Sequence, residues 1–138
     1  MRFWDSSALV TLVLEQPLTA RARKLFEEDR ELIVWWGSPI ECASAIARLH
    51  RDGQLTAAEE ANARALLATL RASWFEVQPG YAVREQALRL LRLHPLRAAD
   101  ALQLAAALEW AGSPPDGGFV SFDERLSAAA QREGFTTF

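Results

Sequence analysis

Leu32-Ile33-Val34-Trp35-Trp36 is an uninterrupted apolar run of strand length, set between the charged Asp29-Arg30-Glu31 and Gly37. A strand with one face in water alternates apolar and polar residues. A run without alternation is buried on both faces, which in a globular chain means a parallel sheet covered by helices. Shorter runs of similar character are Phe3-Trp4 at the start, Trp74-Phe75-Glu76-Val77, Phe119-Val120-Ser121 and a last strand at Phe135-Thr136-Thr137-Phe138. Helical stretches separate them. The pattern predicts an α/β fold with a mainly parallel central sheet of four to five strands and helices on both faces. No repeat, low-complexity segment or linker divides residues 1–138, so one domain is expected.

The helices carry their own start and stop signals. Ala8 to Leu14 ends before Pro17, with Ser6 or Ser7 placed as cap, and Thr19 caps a second helix. Ser38-Pro39-Ile40-Glu41 reads as a capping box with proline at the first helical position, opening a helix to about Arg51. Thr56-Ala57-Ala58-Glu59 is a second capping box, opening a helix to about Ala72. Ala82 to Leu93, an Ala-rich segment from Arg97 to Gly112, and Asp123 to Ala130 complete the set.

The net charge is −3, from 15 basic and 18 acidic residues, which excludes the broad positive field of a non-specific nucleic-acid binder. A local basic patch is nevertheless present: Arg84, Arg89, Arg92, His94 and Arg97, with Glu85 the only acid among them. It reads either as a solvated helix face or as a contact for RNA. Apolar runs such as Leu104 to Leu108 are far shorter than the ~20 residues of a membrane helix. There is no leader pattern at the N-terminus, and the single cysteine, Cys42, has no disulfide partner in the chain. A cytoplasmic location is the expectation.

Asp5, Glu41, Asp100 and Asp123 each sit where a strand or loop passes into a helix. Junctions at one end of a parallel sheet converge in space, and ligands bind in the crevice there. Carboxylates gathered in one cleft repel each other and raise each other's pKa values, and a divalent cation relieves that repulsion. Mg²⁺ or Mn²⁺ suits a set of oxygen donors, whereas two histidines and one cysteine support zinc poorly. Each acid also has a plain structural account. Asp5 and Asp123 are potential N-caps, Glu41 completes the Ser38 box, and Asp100 complements a helix N-terminus.

Helical spacing places Ser44, Ala45 and Arg48 on the face of Glu41, and Arg97 and Gln103 on the face of Asp100. Ala43, Ile46, Ala47, Leu102, Ala105 and Ala106 fall on the opposite faces, toward the sheet. Ser7 and Ser121 add hydroxyls, as caps or as partners of the carboxylates. Rival α/β readings lack their marks. A haloacid-dehalogenase-like phosphatase needs an acid at position 7, a receiver domain needs a late lysine where only Lys24 exists, and no Gly-Lys phosphate loop is present. Cys42, in an Ala-rich helix, reads as core.

The order Asp5-Ser6-Ser7, Glu41 early in a helix, Arg97-Ala98-Ala99-Asp100-Ala101-Leu102 and Ser121-Phe122-Asp123-Glu124-Arg125-Leu126 resembles PIN domains. It is most similar to the VapC-type ribonuclease toxins of toxin–antitoxin pairs, over essentially the whole chain. The resemblance implies a Mg²⁺- or Mn²⁺-dependent endoribonuclease with Asp5, Glu41, Asp100 and Asp123 as metal-binding and catalytic acids. Ser7 and Ser121 match positions where the family often places a hydroxyl and would support them. From spacing and charge, not from the resemblance, Arg97 would support Asp100, and Arg48, Arg89 and Arg92 are candidate contacts for RNA of the tRNA or rRNA class. The resemblance further implies a homodimer and a small antitoxin partner. The alternative on the same fold is a scaffold that binds RNA or protein without cleaving it.

Overall fold

The computed structural model describes residues Met1–Phe138. Five strands, β1 (Arg2–Trp4), β2 (Leu32–Trp35), β3 (Phe75–Val77), β4 (Gly118–Val120) and β5 (Thr136–Thr137), form one all-parallel sheet in the order β3-β2-β1-β4-β5. Seven helices connect them: α1 (Ser6–Val13), α2 (Thr19–Glu28), α3 (Ser38–Arg51), α4 (Ala57–Arg71), α5 (Tyr81–Leu93), α6 (Ala98–Ala111) and α7 (Glu124–Arg132). None of them is long and apolar enough to cross a membrane.

The period of two along each strand sends successive side chains to opposite faces. Phe3, Ile33, Trp35 and Phe119 pack into one cluster with α5, α6 and α7, centred on Leu90, Leu104 and Leu126. Trp4, Leu32, Val34 and Val120 pack into the other with α1 to α4, centred on Leu9, Cys42 and Ile46. Both faces of the sheet are thus covered, as the apolar run at β2 demands. The adjacent tryptophans divide at its end: Trp35 is buried, and Trp36 stands 46% exposed against its edge.

Several local expectations change. Asp5, not a serine, caps α1, accepting from the Ala8 N–H. Thr19 lies inside α2, which begins after Leu18 without a side-chain cap. Its buried hydroxyl faces the carbonyls of Thr11 and Leu14 and accepts from the Gln16 N–H, pinning the α1–α2 turn. The Thr56–Glu59 capping box forms, but the Ser38–Glu41 box does not: α3 is capped by Gly37 with no side-chain bond. Ala43 is exposed, and Cys42 takes the buried position beside Ile46. Trp74 precedes β3 and packs under the α1–α4 face, while Phe75 stands 61% exposed on the edge strand.

The chain winds from β1 outward through β2 to β3, then returns to place β4 on the other side of β1. The strand order therefore reverses between β1 and β4, which opens a crevice at the carboxyl ends of these two strands.

Candidate active site: a cleft lined by four carboxylates

Asp5 follows β1 directly, and its N–H donates to the Val120 carbonyl at the end of β4. Ser121 and Asp123 follow β4, so the crevice receives these groups from both of its strands. Glu41 reaches it from the first turn of α3, and Asp100 from the first turn of α6. Asp5, Glu41, Asp100 and Asp123 line one open cleft of about 800 Å³, together with Ser6, Ser7, Ser44, Ala45 and Arg48. The α3 face expected from spacing is therefore the wall of this cleft.

Asp5 is 3% exposed. Burial pushes its carboxyl up to about 7, against the opposing bonds from the Ser7 hydroxyl, the Ser7 and Ala8 N–H groups, and Ser121. Ser7 Oγ donates to Asp5 Oδ1 at 2.7 Å and accepts from the Phe122 N–H at 2.9 Å. Ser121 Oγ accepts from the Asp123 N–H at 3.1 Å and lies 3.5 Å from Ser7 Oγ. The two serines thus tie the ends of β1 and β4 together around the buried acid.

Glu41 has partners that replace its expected capping role. Ser6 Oγ donates to Oε2 at 2.7 Å, and Gln103 Nε2 donates to Oε1 at 3.1 Å. Gln103, 1% exposed on α6, also bonds the buried Ser38 hydroxyl at 3.1 Å. Burial raises the Glu41 carboxyl; the bonds from Ser6 and Gln103 oppose this, and the charge of Asp100 adds to it. Asp100 is raised by burial and then by Asp123, with the Arg97 N–H and charge opposing. Asp123 keeps its capping role as well, accepting from the Leu126 N–H at 2.8 Å.

Ser6 and Gln103 were legible only in part: Ser6 as a cap, Gln103 as a neighbour of Asp100 three residues on. The signal that marks Gln103 is a polar side chain in an otherwise Ala- and Leu-rich buried helix. Of the arginines, Arg48 lines the cleft, whereas Arg89 and Arg92 are not among its walls. Arg89 pairs with Glu133 at the end of α7, and His94 Nε2 lies 2.7 Å from the same carboxylate. This pairing splits the basic patch.

No three Asp, Glu, His or Cys side chains converge into a ready-made cation cage. The donor chemistry nevertheless fits a hard divalent ion. The cleft offers carboxylate and hydroxyl oxygens, and three of its carboxyls are raised toward their neutral forms. Mg²⁺ keeps several waters and needs only one or two carboxylates, so a closed cage is not required.

A family model described as PIN domain matches residues 2–132. Among solved structures, the chain is similar to VapC20 of Mycobacterium tuberculosis, a sarcin–ricin loop cleaving toxin. That match has 18% identity, 99% coverage of this chain, 97% of that chain and a TM-score of 0.73. It is also similar to PAE2754 of Pyrobaculum aerophilum (21% identity, 99% and 82% coverage, TM-score 0.70). A toxin–antitoxin complex from Klebsiella pneumoniae matches at 14% identity, 92% and 91% coverage and a TM-score of 0.62. No curated protein sequence matches significantly.

Proposed function

Because the chain belongs to the PIN domain family, we propose that it is a divalent-metal-dependent endoribonuclease, the toxin of a toxin–antitoxin pair. One observation carries this reading. Four acids from four separate junctions line a single cleft at the point where the strand order reverses; burial raises three of them, Asp5, Glu41 and Asp100, and a neighbouring acid adds to the rise at Glu41 and Asp100.

Asp5, Asp100 and Asp123, directly or through the ion's own waters, would hold Mg²⁺ or Mn²⁺, with Glu41 binding directly or through water. When bound, such an ion lowers the pKa of a water and stabilises charge on the phosphoryl group. The chain's own residues do the positioning. Ser7 and the backbone amides hold Asp5 in one rotamer. Ser6 and Gln103 hold both oxygens of Glu41, which orients the attacking water and accepts its proton. Arg97 keeps Asp100 toward its ionised form, and Arg48 on the cleft wall pairs with a substrate phosphate. The neighbouring toxin and toxin–antitoxin structures support an RNA substrate and an antitoxin partner.

The absence of a ready-made cage is the one feature that favours the alternative, a scaffold that binds without cleaving. Thermal melting with Mn²⁺ separates the two. A native-state ligand at 100 times its Kd stabilises by about 2.7 kcal/mol. The nuclease reading predicts a rise in Tm that Asp100→Asn removes; an unchanged Tm in the wild type favours the scaffold.

A further inference from the structure

Past Phe122 the cleft continues into a second groove of about 520 Å³. Leu18, Phe122 and Asp123 form a wall common to both. Beside the ring stands Arg21 of α2, its guanidinium carbon 5.7 Å from the centroid of the Phe122 ring. That separation is within the roughly 6 Å of a cation–π contact, so ring and guanidinium form one platform. Arg21 is exposed and pairs with no acid, whereas nearby Arg23 is spent on Glu15 and Arg2 on Glu28.

Phe122 is also anchored to the acid site. Its N–H donates to the Ser7 hydroxyl at 2.9 Å, and the same hydroxyl donates to Asp5 at 2.7 Å. The backbone at Phe122, one residue before Asp123, is therefore fixed relative to Asp5, and the ring is partly buried against the α1–α4 cluster. A strand with a phosphodiester at the carboxylates has to leave the cleft, and on this side it meets an aromatic face and an unpaired guanidinium. Unpaired bases stack on exactly such aromatic and guanidinium surfaces, while duplex bases are already stacked on each other.

We infer that this groove is a substrate subsite for one nucleotide of single-stranded RNA, flanking the phosphodiester that is cut. Its base rests on the platform of Phe122 and Arg21, and its phosphate pairs with Arg21. Asp123 and Glu124 also line the groove and Arg21 is its one cation, so a single phosphate can be met there and not a run of them. The inference rests on the ribonuclease reading, and its test keeps the two apart.

The probe is a fluorescent single-stranded RNA of random sequence, bound to the full chain carrying Asp100→Asn to prevent turnover. Arg21→Ala is expected to weaken binding severalfold and to make the slope of log affinity against log salt shallower by about 0.7. Phe122→Leu keeps an apolar side chain against the core and is expected to cost roughly tenfold from lost stacking. Double-stranded RNA should compete poorly. Cleavage of a tRNA and rRNA pool by the same variants on an intact acid site is run in parallel, with melting curves to show that they fold. Should Phe122→Leu melt early, the exposed Arg21→Ala decides alone. Unchanged affinity and salt slope in Arg21→Ala, with the wild type cleaving RNA, overturns the subsite and leaves the nuclease reading intact. Weakened binding in the variants, with a wild type that never cleaves, upholds the groove as a single-stranded RNA contact but overturns both its place beside a cut phosphodiester and the nuclease reading. A wild type that neither binds nor cleaves overturns both.

Discussion

Ser6 Oγ donates to Oε2 of Glu41 at 2.7 Å, joining the first turns of α1 and α3 across 35 residues of sequence. With Gln103 on the other oxygen, Glu41 is held by two helices other than its own and has no part in capping α3. This separates its contribution to stability from its contribution to chemistry.

Glu41→Gln should leave the fold almost untouched. A hydroxyl donates or accepts, so Ser6 Oγ can accept from the new amide nitrogen while Gln103 still donates to the amide oxygen. The Tm without metal should change by the equivalent of about 1 kcal/mol or less. The Mn²⁺-dependent rise in Tm and RNA cleavage should both fall sharply. Melting curves with and without Mn²⁺ check this.

Gln103→Leu should behave differently. It removes donors to Glu41 and Ser38 and leaves the buried Ser38 hydroxyl without its partner. An unsatisfied buried polar group costs about 1–3 kcal/mol. Urea denaturation should show that loss, and cleavage should fall with it although Gln103 does not line the cleft.

Asp123→Asn and Asp123→Ala separate cap from site. Asparagine caps as well as aspartate, so the Leu126 N–H keeps its acceptor and stability should hold. Alanine should cost about 1 kcal/mol. Both should lose Mn²⁺ stabilisation and activity. Full activity in Asp123→Asn would mean that this residue is a cap alone.

Glu133 predicts a pH dependence away from the cleft. Burial alone would raise its carboxyl, but the bonds and charges of Arg89 and His94 outweigh burial and lower it. A lowered folded-state pKa contributes stability that is fully present above the ordinary value of 4.5 and is lost as pH falls through the folded value. The urea midpoint of the wild type should drop below about pH 4.5 more steeply than that of Glu133→Gln. Parallel curves would show that this pairing contributes nothing to acid stability.

Much of the architecture was legible because both faces of the sheet are covered, leaving short apolar runs that only a parallel sheet accommodates. The candidate cleft was legible where an acid stands at a helix junction, as at Asp5, Asp100 and Asp123. Capping was less secure. Thr56-x-x-Glu59 and Ser38-x-x-Glu41 are the same pattern, yet only the exposed one closes on itself. At α3 the serine is fully buried and both side chains find partners 35 to 65 residues away. No local pattern encodes such distant partners. The same holds for Arg89 and His94, whose shared acid lies 44 and 39 residues further on.

The most direct measurement is cleavage of a total tRNA and rRNA pool by the purified protein in Mg²⁺ or Mn²⁺, with a chelator and Asp100→Asn as paired controls. The four-carboxylate site predicts discrete fragments that both controls abolish. Fragments that persist in Asp100→Asn, or no cleavage of an RNA pool that the protein still binds, would contradict it.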